Sequence, residues 1–344
     1  MKPSRKINLA FNGSCLHANA HGGWARYTQS LIDHLQAEFK DELNIFIFEN
    51  KSKMNHTLWE QMELSRLCEN NSVDILHAPA NGGLPWRGKF KKMLTIHDLF
   101  SEQDFKWSHT IPGLKNNLRY KVDWWTSLRA AEAIMTVSEF TKKELLCYGI
   151  QKPIYMSYEG VDLPPPDSSR IRLSEPFLLY VGSFDQRKNT DLLIQSFLKT
   201  ENNMKLVLIG KGANLQASRF SSKRLIFLEN ISDSELSGYY SKATAFISFS
   251  TREGFGLSFA EALNFGCPAL YSGEGAIPEI VGSAGLKISS SNLNETLNRL
   301  LSTPSFLADL QKKSREQGAK FSWQNTAKET FDVYKILLRS EVKS

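Results

Sequence analysis

The sequence predicts an α/β protein made of two Rossmann-like domains. Short apolar runs alternate with amphipathic stretches over most of the 344 residues, and the alternation starts a second time in the C-terminal half. A segment rich in proline and serine, "GVDLPPPDSSR" at 160–170, lies between the two series. Buried strands separated by helices are typical of a parallel sheet that is covered on both faces. The segment between the series is typical of a linker.

The first series predicts six strands separated by helices. Helical stretches are expected to include 24–37 and 117–130. The expected strands are "INLAF", "LNIFIF", "VDILHA", "KMLTIHD", "AIMTVS" and "IYMSYEGV".

The second series repeats this pattern, with helices expected at about 189–199, 233–242 and 257–265. Its expected strands are "FLLYVGS", "LVLIGKG", "LIFLEN", "AFISFS" and "PALYSG". A last helix, at about 323–339, places Ala327, Phe331, Tyr334 and Leu338 at spacings of four, three and four. This helix therefore has an apolar face that needs a surface to pack on.

The composition is that of an ordinary soluble globular protein, with 41% hydrophobic and 23% charged residues. A net charge of +6, without a nucleic-acid-binding motif, argues against a nucleic-acid partner. Four scattered cysteines without a CxxC pair disfavour a metal site or a disulfide framework, and they fit a reducing cytoplasm. The basic start of the chain lacks the apolar core of a secretory signal, and no window resembles a membrane span.

The stretch "EGFGLSFAE" at 253–261 carries the strongest chemical signal. Gly254-Phe255-Gly256 precedes a predicted helix that starts at Leu257, and the N-terminus of a helix favours an anion such as phosphate. The glycines allow a ligand to approach the backbone. Carboxylates at Glu253 and Glu261 can each accept two vicinal hydroxyls. A sugar nucleotide has this layout of sugar, diphosphate and ribose. The alternative is a helix cap at Glu253 and a solvated Glu261.

A second motif, "YVGSFDQRKNTDLLIQSF" at 180–197, places Arg187 and Lys188 just before a helix. Adjacent cations at the turn from a strand to a helix can bind a diphosphate and offset the charge of a leaving nucleoside diphosphate. Two solvated basic residues in a turn are the alternative.

Two further motifs lie in the first half. Gly22 and Gly23 in "HGGWARY" precede a predicted helix, either as a loop open to a ligand or as a flexible connector. In "TIHDLF", His97 and Asp98 follow a predicted strand at its carboxyl end, where α/β sheets bind ligands. A purely structural histidine is the alternative there.

Taken in this order, the motifs resemble the family 4 retaining glycosyltransferases of the GT-B fold. "EGFGLSFAE" matches the Glu-x7-Glu signature of that family, and the resemblance covers nearly the whole chain. It implies two Rossmann-like domains that face each other across a cleft, with a C-terminal helix that crosses back to the N-terminal domain. The implied parts are an acceptor-binding domain at 1–165, a nucleotide-sugar-binding domain at 166–322, and the crossing helix at 323–344.

The resemblance also implies roles for individual residues. His97 would lie beside the reacting sugar carbon, Glu253 would contact the donor sugar, and Glu261 would hold the ribose hydroxyls. Gly22 and Gly23 would approach the phosphates or the acceptor. The implied donor-binding residues are Arg187, Lys188, Gly254, Phe255, Gly256, Leu257 and Glu261.

Two positions depart from the family pattern. Ser183 stands where arginine is frequent, which shifts phosphate binding towards Arg187 and Lys188, and Trp24 replaces a small aliphatic residue on the acceptor side. The chain contains no Asp-x-Asp sequence, the metal-binding motif of the GT-A enzymes. We therefore expect a reaction without metal or other cofactor.

The expected reaction moves a hexose from a nucleotide-diphosphate sugar to a hydroxyl of a glycan or lipid-linked acceptor, in polysaccharide or lipopolysaccharide biosynthesis. The motifs look most like those of mannosyl- or hexosyltransferases of bacterial surface-polysaccharide assembly, and this resemblance favours mannose from GDP-mannose over UDP-sugars. The stretch 87–129 has nine Lys or Arg against four acidic residues, interleaved with tryptophans, which suits contact with an anionic membrane. If 87–129 makes this contact, the enzyme works at the inner face of the cytoplasmic membrane. The alternative is that Leu118, Val122, Trp125 and Leu128 form the core face of a helix.

Other functions remain as alternatives. A UDP-sugar-dependent transferase of the same family would transfer glucose, N-acetylglucosamine or galactose. A non-catalytic homologue would bind the sugar nucleotide without turnover. An NAD-dependent oxidoreductase is disfavoured because "GKGANL" at 210–215 has Leu215 in place of the third glycine of GxGxxG. A nucleotide-sugar epimerase would not be expected to carry the Glu-x7-Glu block.

Overall fold

The computed structural model describes residues 5–16, 23–52, 54–99, 111–169, 171 and 173–339, and only the backbone of 111–120. The chain forms two compact units. The first contains Met1–Gly160 together with Trp323–Ser344, and the second is Val161–Ser322. The chain therefore leaves the first unit after Gly160 and returns to it at Trp323.

A six-stranded parallel sheet forms the centre of the first unit, in the order β2-β1-β3-β4-β5-β6. The order changes direction between β1 and β3, which places a topological switch point at their carboxyl ends. Side chains from both faces of this sheet are buried, as expected for a parallel sheet covered by helices. The strands are β1 (Ile7–Asn12), β2 (Leu43–Phe48), β3 (Ile75–Ala78), β4 (Lys91–Ile96), β5 (Ala133–Thr136) and β6 (Ile154–Met156).

The helices of the first unit include one unusual segment. Between α2 and α3, residues Trp59–Leu64 form a π-helix, so that His56 to Asn70 is one helical stretch with a widened middle. The helices are α1 (Gly23–Glu38), α2 (His56–Leu58), α3 (Ser65–Asn70), α4 (Ile111–Ala130), α5 (Glu139–Cys147) and, at the end of the chain, α13 (Trp323–Arg339).

Helix α13 packs on α1 of the first unit. Phe331 stacks on Phe39 with ring centroids 4.1 Å apart, and the Tyr334 hydroxyl lies 2.7 Å from Nδ1 of the buried His77. A Cβ at Gly160 would lie 2.3 Å from the backbone nitrogen of Trp323, so this approach requires glycine. The apolar face of the last helix is therefore covered, although Leu337 rather than Leu338 is the fully buried residue near its end.

The second unit has its own six-stranded parallel sheet, in the order β14-β12-β10-β7-β8-β9, and a two-stranded sheet of β11 and β13. Its central strands β7, β8 and β10 are buried except at Val181 and Lys205. The strands are β7 (Phe177–Val181), β8 (Lys205–Ile209), β9 (Leu225–Leu228), β10 (Ala245–Ser248), β11 (Arg252–Glu253), β12 (Ala269–Tyr271), β13 (Glu274–Gly275) and β14 (Gly285–Lys287).

Helices cover this second sheet, and its switch point lies between β7 and β10. The helices are α6 (Thr190–Leu198), α7 (Ala213–Arg219), α8 (Asp233–Lys242), α9 (Leu257–Asn264), α10 (Ile277–Val281), α11 (Leu293–Ser302) and α12 (Pro304–Gly318). The prediction of two Rossmann-like α/β domains is thereby confirmed. Among the helices in the described ranges, none is both long and apolar enough to cross a bilayer.

Candidate functional site

The loops that follow β7 and β10 bring three predicted site residues together at the switch point of the second sheet. The Lys188 ammonium lies 2.5 Å from Oε1 of Glu253, and the Arg187 guanidinium lies 3.2 Å from Oε2. Arg187 also donates to the backbone oxygen of Arg252, at 3.1 Å. Two cations therefore share one carboxylate, and the cluster keeps one excess positive charge.

Local structure holds both cations in place. The Asp185 carboxylate accepts a hydrogen bond from the backbone N–H of Lys188 and so caps the short 3-10 turn Gln186–Lys188. The Ser183 hydroxyl donates to Asp185, at 2.5 Å. Asn189 then adopts a left-handed conformation, with φ of 52°, before α6 begins. Ser183, where the family often has arginine, thus supports the turn that carries Arg187 and Lys188.

The environment of Glu253 favours its ionised form. Burial, which leaves the residue 8% exposed, raises the pKa of this carboxyl, but the charges and hydrogen bonds of Lys188 and Arg187 outweigh burial and lower the pKa below its ordinary value. The backbone of Glu253 is held by pairing of β11 with β13. A Cβ at Gly275, whose φ is +80°, would lie 2.6 Å from the Glu253 carbonyl oxygen.

Helix α9 begins four residues after Glu253, and its N-cap residue provides no side-chain cap. Its N-cap residue is Gly256, with φ of 92°, and glycine has no side chain that could accept from the N–H groups of the first turn. An anion at this helix end would meet backbone donors and the positive end of the helix dipole. The Phe255 side chain is buried and packs edge-on against Phe321, with ring centroids 5.7 Å apart. Gly254, Gly256 and Leu257 complete this turn.

Glu261 lies on α9, one turn inside the helix. It is 4% exposed, and the Tyr240 hydroxyl donates to its Oε2 at 2.8 Å. The solvated helix face that we considered for Glu261 is therefore wrong. A buried carboxylate with a hydroxyl donor on one oxygen is held in one orientation.

The remaining predicted residues lie in the first unit or outside the described residues. Gly22 is outside them. Gly23 is the exposed first residue of α1, and a Cβ there would meet no atom within 4 Å, so nothing in the described structure requires glycine at this position. His97 directly follows β4 and is 6% exposed.

Both ring nitrogens of His97 have partners within the first unit. Nε2 donates to the backbone oxygen of Pro79 at 2.8 Å, and Nδ1 lies 3.1 Å from Oε1 of Glu159. Burial lowers the pKa of His97, but the hydrogen bond and charge of Glu159, with the Pro79 carbonyl, outweigh burial and raise the pKa above its ordinary value. His97 is thus paired with a buried glutamate, and both of its ring nitrogens are engaged within the first unit.

Three residues that contact the predicted site residues were not predicted from the sequence. Glu159 holds the His97 ring, Tyr240 holds Glu261, and the Asn81 side chain accepts from the His97 backbone N–H at 2.7 Å. Glu159 lies 62 residues from His97, and Tyr240 lies 21 residues from Glu261. The one local signal was Asn81-Gly82-Gly83, a turn-forming sequence that begins three residues after the end of β3.

In the described part of the basic stretch 87–129, Val122 and Trp125 are not core residues. The alternative that they belong to the core face of a helix is therefore wrong. Leu128 is buried, but Val122 and Trp125 are 47% and 49% exposed, and the Arg129 guanidinium lies 3.4 Å from the Trp125 ring centroid. The side chain of Leu118 lies outside the described residues.

In the ranges that the structure describes, no cluster of three or more His, Cys, Asp and Glu residues could hold a metal ion.

Comparison with known proteins supports a single family. The model "Glycosyl transferases group 1" matches residues 166–318, and "Glycosyltransferase Family 4" matches residues 36–164. The O-antigen chain mannosyltransferase B of Escherichia coli is 25% identical over 76% of this chain and 74% of its own length. The serotype-specific mannosyltransferase WbdA of E. coli is 24% identical over 75% of this chain, which spans only 34% of WbdA.

Solved structures show the same fold at lower identity. Sucrose-phosphate synthase from Thermosynechococcus elongatus has a TM-score of 0.76 at 19% identity, covering 98% of this chain and all of that one. The Anabaena protein HepE, solved with UDP-glucose, has a TM-score of 0.73 at 15% identity and covers 95% of this chain and all of its own. These likenesses show the GT-B fold, and the two family models, which together match residues 36–164 and 166–318, show that the chain belongs to the family 4 glycosyltransferases.

Proposed function

We propose that this enzyme transfers mannose from GDP-mannose, with retention of anomeric configuration and without a metal ion, to a hydroxyl of a glycan or glycolipid acceptor. We propose that this reaction is a step in the biosynthesis of surface polysaccharide or lipopolysaccharide. The observation that carries the proposal is the cluster of Arg187, Lys188 and Glu253 beside the uncapped start of α9, with Glu261 one turn further along that helix.

These residues suit the three parts of a sugar nucleotide. The excess positive charge of Arg187 and Lys188, together with the first-turn N–H groups of α9, would bind the diphosphate. Glu253 would accept from hydroxyls of the donor sugar, and Glu261 would accept from hydroxyls of the ribose. The diphosphate would displace part of the ion pairing that the cations make with Glu253.

The same groups would assist the chemical step. As the bond between the anomeric carbon and the phosphate oxygen breaks, negative charge grows on the leaving diphosphate, and the two cations would stabilise that charge. The leaving phosphate oxygen would take the proton of the acceptor hydroxyl while the acceptor oxygen bonds to the same face of the sugar. No enzymatic nucleophile is then needed. We assign His97 an electrostatic role beside the sugar, because both its nitrogens are engaged.

Two observations favour mannose and a polysaccharide context. Both relatives described above carry the name mannosyltransferase, and one acts on an O-antigen chain by name. At about a quarter identity, sugar specificity can change within a family, so UDP-sugars are the competing donors for the first experiment.

We also propose a peripheral contact with an anionic membrane. Trp125 and Val122 on α4 are exposed, and so are Leu58, Met62 and Trp86 nearby in the same unit. Hydrogen bonds join these segments: Thr57 donates to Asp123 at 2.9 Å, and the Trp86 N–H donates to Gln61 at 2.9 Å. Arg87, Lys121 and Arg129 lie in the same segments. Exposed aromatic and apolar side chains with basic neighbours suit an anionic lipid surface.

The donor is tested by thermal shift with GDP-mannose, UDP-glucose, UDP-GlcNAc, UDP-galactose, ADP-glucose, NAD and the bare nucleotides, each with and without EDTA. A ligand at 100 times its Kd should add about 2.7 kcal/mol to the free energy of unfolding. We expect a shift with GDP-mannose that EDTA leaves unchanged and that Glu261→Ala abolishes. A shift with one UDP-sugar instead would identify that UDP-sugar as the donor in place of GDP-mannose. A shift with NAD alone would overturn the whole proposal.

The membrane contact is tested by flotation with vesicles of anionic and of zwitterionic lipid. We expect the protein to float with the anionic vesicles, and the combined variant Trp86→Ala, Trp125→Ala to float less. Leu215→Ala, an exposed apolar residue of the second unit, is the control. Failure of the unmodified protein to float with anionic vesicles would remove the membrane contact from the proposal.

A further inference from the structure

Asn81, in the loop between β3 and β4, has an unfavourable backbone conformation that its surroundings maintain. Four of the described non-glycine residues have a positive φ, namely Ser72, Asn81, Asn189 and Asn230. Asn81, with φ of +57°, is the buried member of this group, at 1% exposure. A left-handed backbone strains a residue that carries a Cβ, and such strain is often kept at functional sites by the surrounding contacts. The contacts of Asn81 therefore indicate what its conformation serves.

The Asn81 amide joins its loop to the two residues that follow β4. Its Oδ1 accepts from the backbone N–H of His97 at 2.7 Å. Its Nδ2 donates to Oδ1 of Asp98 at 2.9 Å, and it lies 3.2 Å from the Asp98 backbone oxygen. An amide offers an acceptor and two donors in one short side chain, so a single residue can hold both neighbours. The half-buried Asp98 carboxylate is thereby oriented together with the His97 backbone.

The loop that carries Asn81 is itself anchored to three elements of the first unit. The Asn81 N–H donates to the Thr95 carbonyl of β4 at 3.0 Å. The Ser127 hydroxyl of α4 accepts from the Gly83 N–H at 2.9 Å. The Asn12 amide, at the end of β1, donates to the Gly83 carbonyl at 2.8 Å. These bonds make the loop a fixed support for the Asn81 side chain.

The same loop also holds the ring of His97. The carbonyl of Pro79, two residues before Asn81, accepts from Nε2 at 2.8 Å, while Nδ1 lies 3.1 Å from Glu159. The Thr141 hydroxyl donates to the His97 carbonyl at 3.2 Å. His97 is therefore held at four points, and the loop supplies two of them, one on the ring and one on the backbone.

We propose that Asn81 is a positioning residue of the transfer reaction, which fixes His97 and the Asp98 carboxylate in the arrangement that the reaction uses. The inference rests on the proposed function, because His97 has a role in transfer only if the enzyme transfers a sugar. Asn81 acts through these two neighbours. Its loss should therefore slow the chemical step and leave the affinity for the donor unchanged, since the proposed diphosphate and ribose contacts belong to the second unit.

The substitution Asn81→Gly separates the amide from the backbone conformation. Glycine adopts a positive φ without strain, so this variant loses the hydrogen bonds of the side chain but keeps a left-handed backbone. Ser72→Gly is the matched control, because Ser72 is exposed, lies in the same unit and has a φ of +48°. Asn81→Asp is a second variant, which keeps the acceptor for His97 but places a carboxylate against Asp98.

The first measurement is GDP release from GDP-mannose, with water or the hydroxyls of methyl α-mannoside as the acceptor. We expect kcat to fall on the order of 100-fold in Asn81→Gly, as for a misplaced catalytic group, and to fall in Asn81→Asp as well. The donor Kd from titration calorimetry should change by less than about twofold in both variants, since ground-state binding is not altered. Ser72→Gly should change neither quantity, and urea midpoints show that each variant is folded.

The second measurement needs no turnover. In protein labelled with 15N-histidine, NMR follows the exchange of the His97 Nε2 proton with solvent. We expect this proton to exchange at least about tenfold faster in Asn81→Gly, because the ring opens more often once the backbone is released. Exchange in Ser72→Gly should match that of the unmodified protein.

The two measurements assign each failure to its cause. Unchanged exchange of the ring proton in Asn81→Gly would refute the positioning of His97 by Asn81. Faster exchange with an unchanged kcat, or a donor Kd that weakens as much as kcat falls, would refute its part in the reaction. Absence of donor binding or of GDP release in the unmodified protein would instead refute the proposed function, and the exchange measurement would still decide the positioning.

Discussion

Each of the two units places a glutamate beside a basic side chain, but the two arrangements differ in exposure. In the second unit, Glu253 lies between two cations, Lys188 and Arg187, whose side chains are 16% and 35% exposed. In the first unit, Glu159 faces the His97 ring, and both side chains are at most 8% exposed. Solvent or a ligand can therefore reach the cations of the second unit, whereas the pair in the first unit is enclosed.

The difference shows that a charged cluster can serve either to bind a ligand or to hold side chains in place. A pair buried without excess charge is costly to break, since removal of one partner leaves a charge without compensation. A partly exposed cluster with excess charge can exchange its partner for a diphosphate at lower cost. In the proposed function, Arg187, Lys188 and Glu253 exchange ligands, whereas Glu159 holds the His97 ring in one orientation.

The largest expected effect is a loss of stability on breaking the buried pair of His97 and Glu159. His97→Ala would leave the Glu159 carboxyl buried without its partner, and the free energy of unfolding should fall by about 3–5 kcal/mol. Urea denaturation measures this loss. Lys91→Ala, which breaks the partly exposed ion pair with Glu132, should cost less than about 1 kcal/mol. Equal losses in the two variants would contradict the distinction between the two kinds of pair.

The next largest effect is expected on donor binding by the cluster of Arg187, Lys188 and Glu253. Lys188→Met should weaken donor binding on the order of 100-fold, because a charge-assisted contact to the diphosphate is lost. Titration calorimetry with the donor measures this change. Lys199→Met, at the far end of the helix that follows, removes an exposed charge and serves as the control. Donor affinity that is unchanged in Lys188→Met would remove Lys188 from the binding site.

A smaller effect is expected at Glu261. Glu261→Gln should weaken the binding of the sugar nucleotide and of the bare nucleoside diphosphate by about tenfold, because the ribose hydroxyls lose a charged acceptor. Binding of inorganic pyrophosphate should not change, since it has no ribose. The exposed Glu295→Gln is the control. Weaker pyrophosphate binding in Glu261→Gln would point to a disturbed helix and not to a ribose contact.

The smallest expected effect is a dependence of stability on pH. The pKa of His97 is raised in the folded state, so its pairing with Glu159 stabilises the fold fully below the unfolded pKa of about 6.5, and this contribution is lost as the pH rises through the folded pKa. The stability difference between the unmodified protein and Glu159→Gln should therefore be greatest near pH 5.5 and shrink by pH 9. Urea midpoints across this range measure it, and a difference that grows with pH would have the wrong sign.

Much of the fold and of the donor side was predictable from short stretches of sequence. The helix from Leu257, the turn before α6 and the last helix all depend on local signals: glycine before a helix, an Asp cap, and apolar spacing. The partners of these residues were not predictable, since Glu159 and Tyr240 reach His97 and Glu261 only through the packing of distant segments.

The sequence by itself determined the two α/β series, the linker between them, and the order of Arg187, Lys188, Glu253 and Glu261 along the chain, because helix and strand periodicity and glycine turns act over a few residues. The tertiary structure alone decided that Lys188 and Arg187 share Glu253, that both nitrogens of His97 are engaged, and that the Asn81 amide holds His97 and Asp98 together. Those outcomes depend on which strands lie side by side in a parallel sheet, and that is set by packing between segments far apart in the chain.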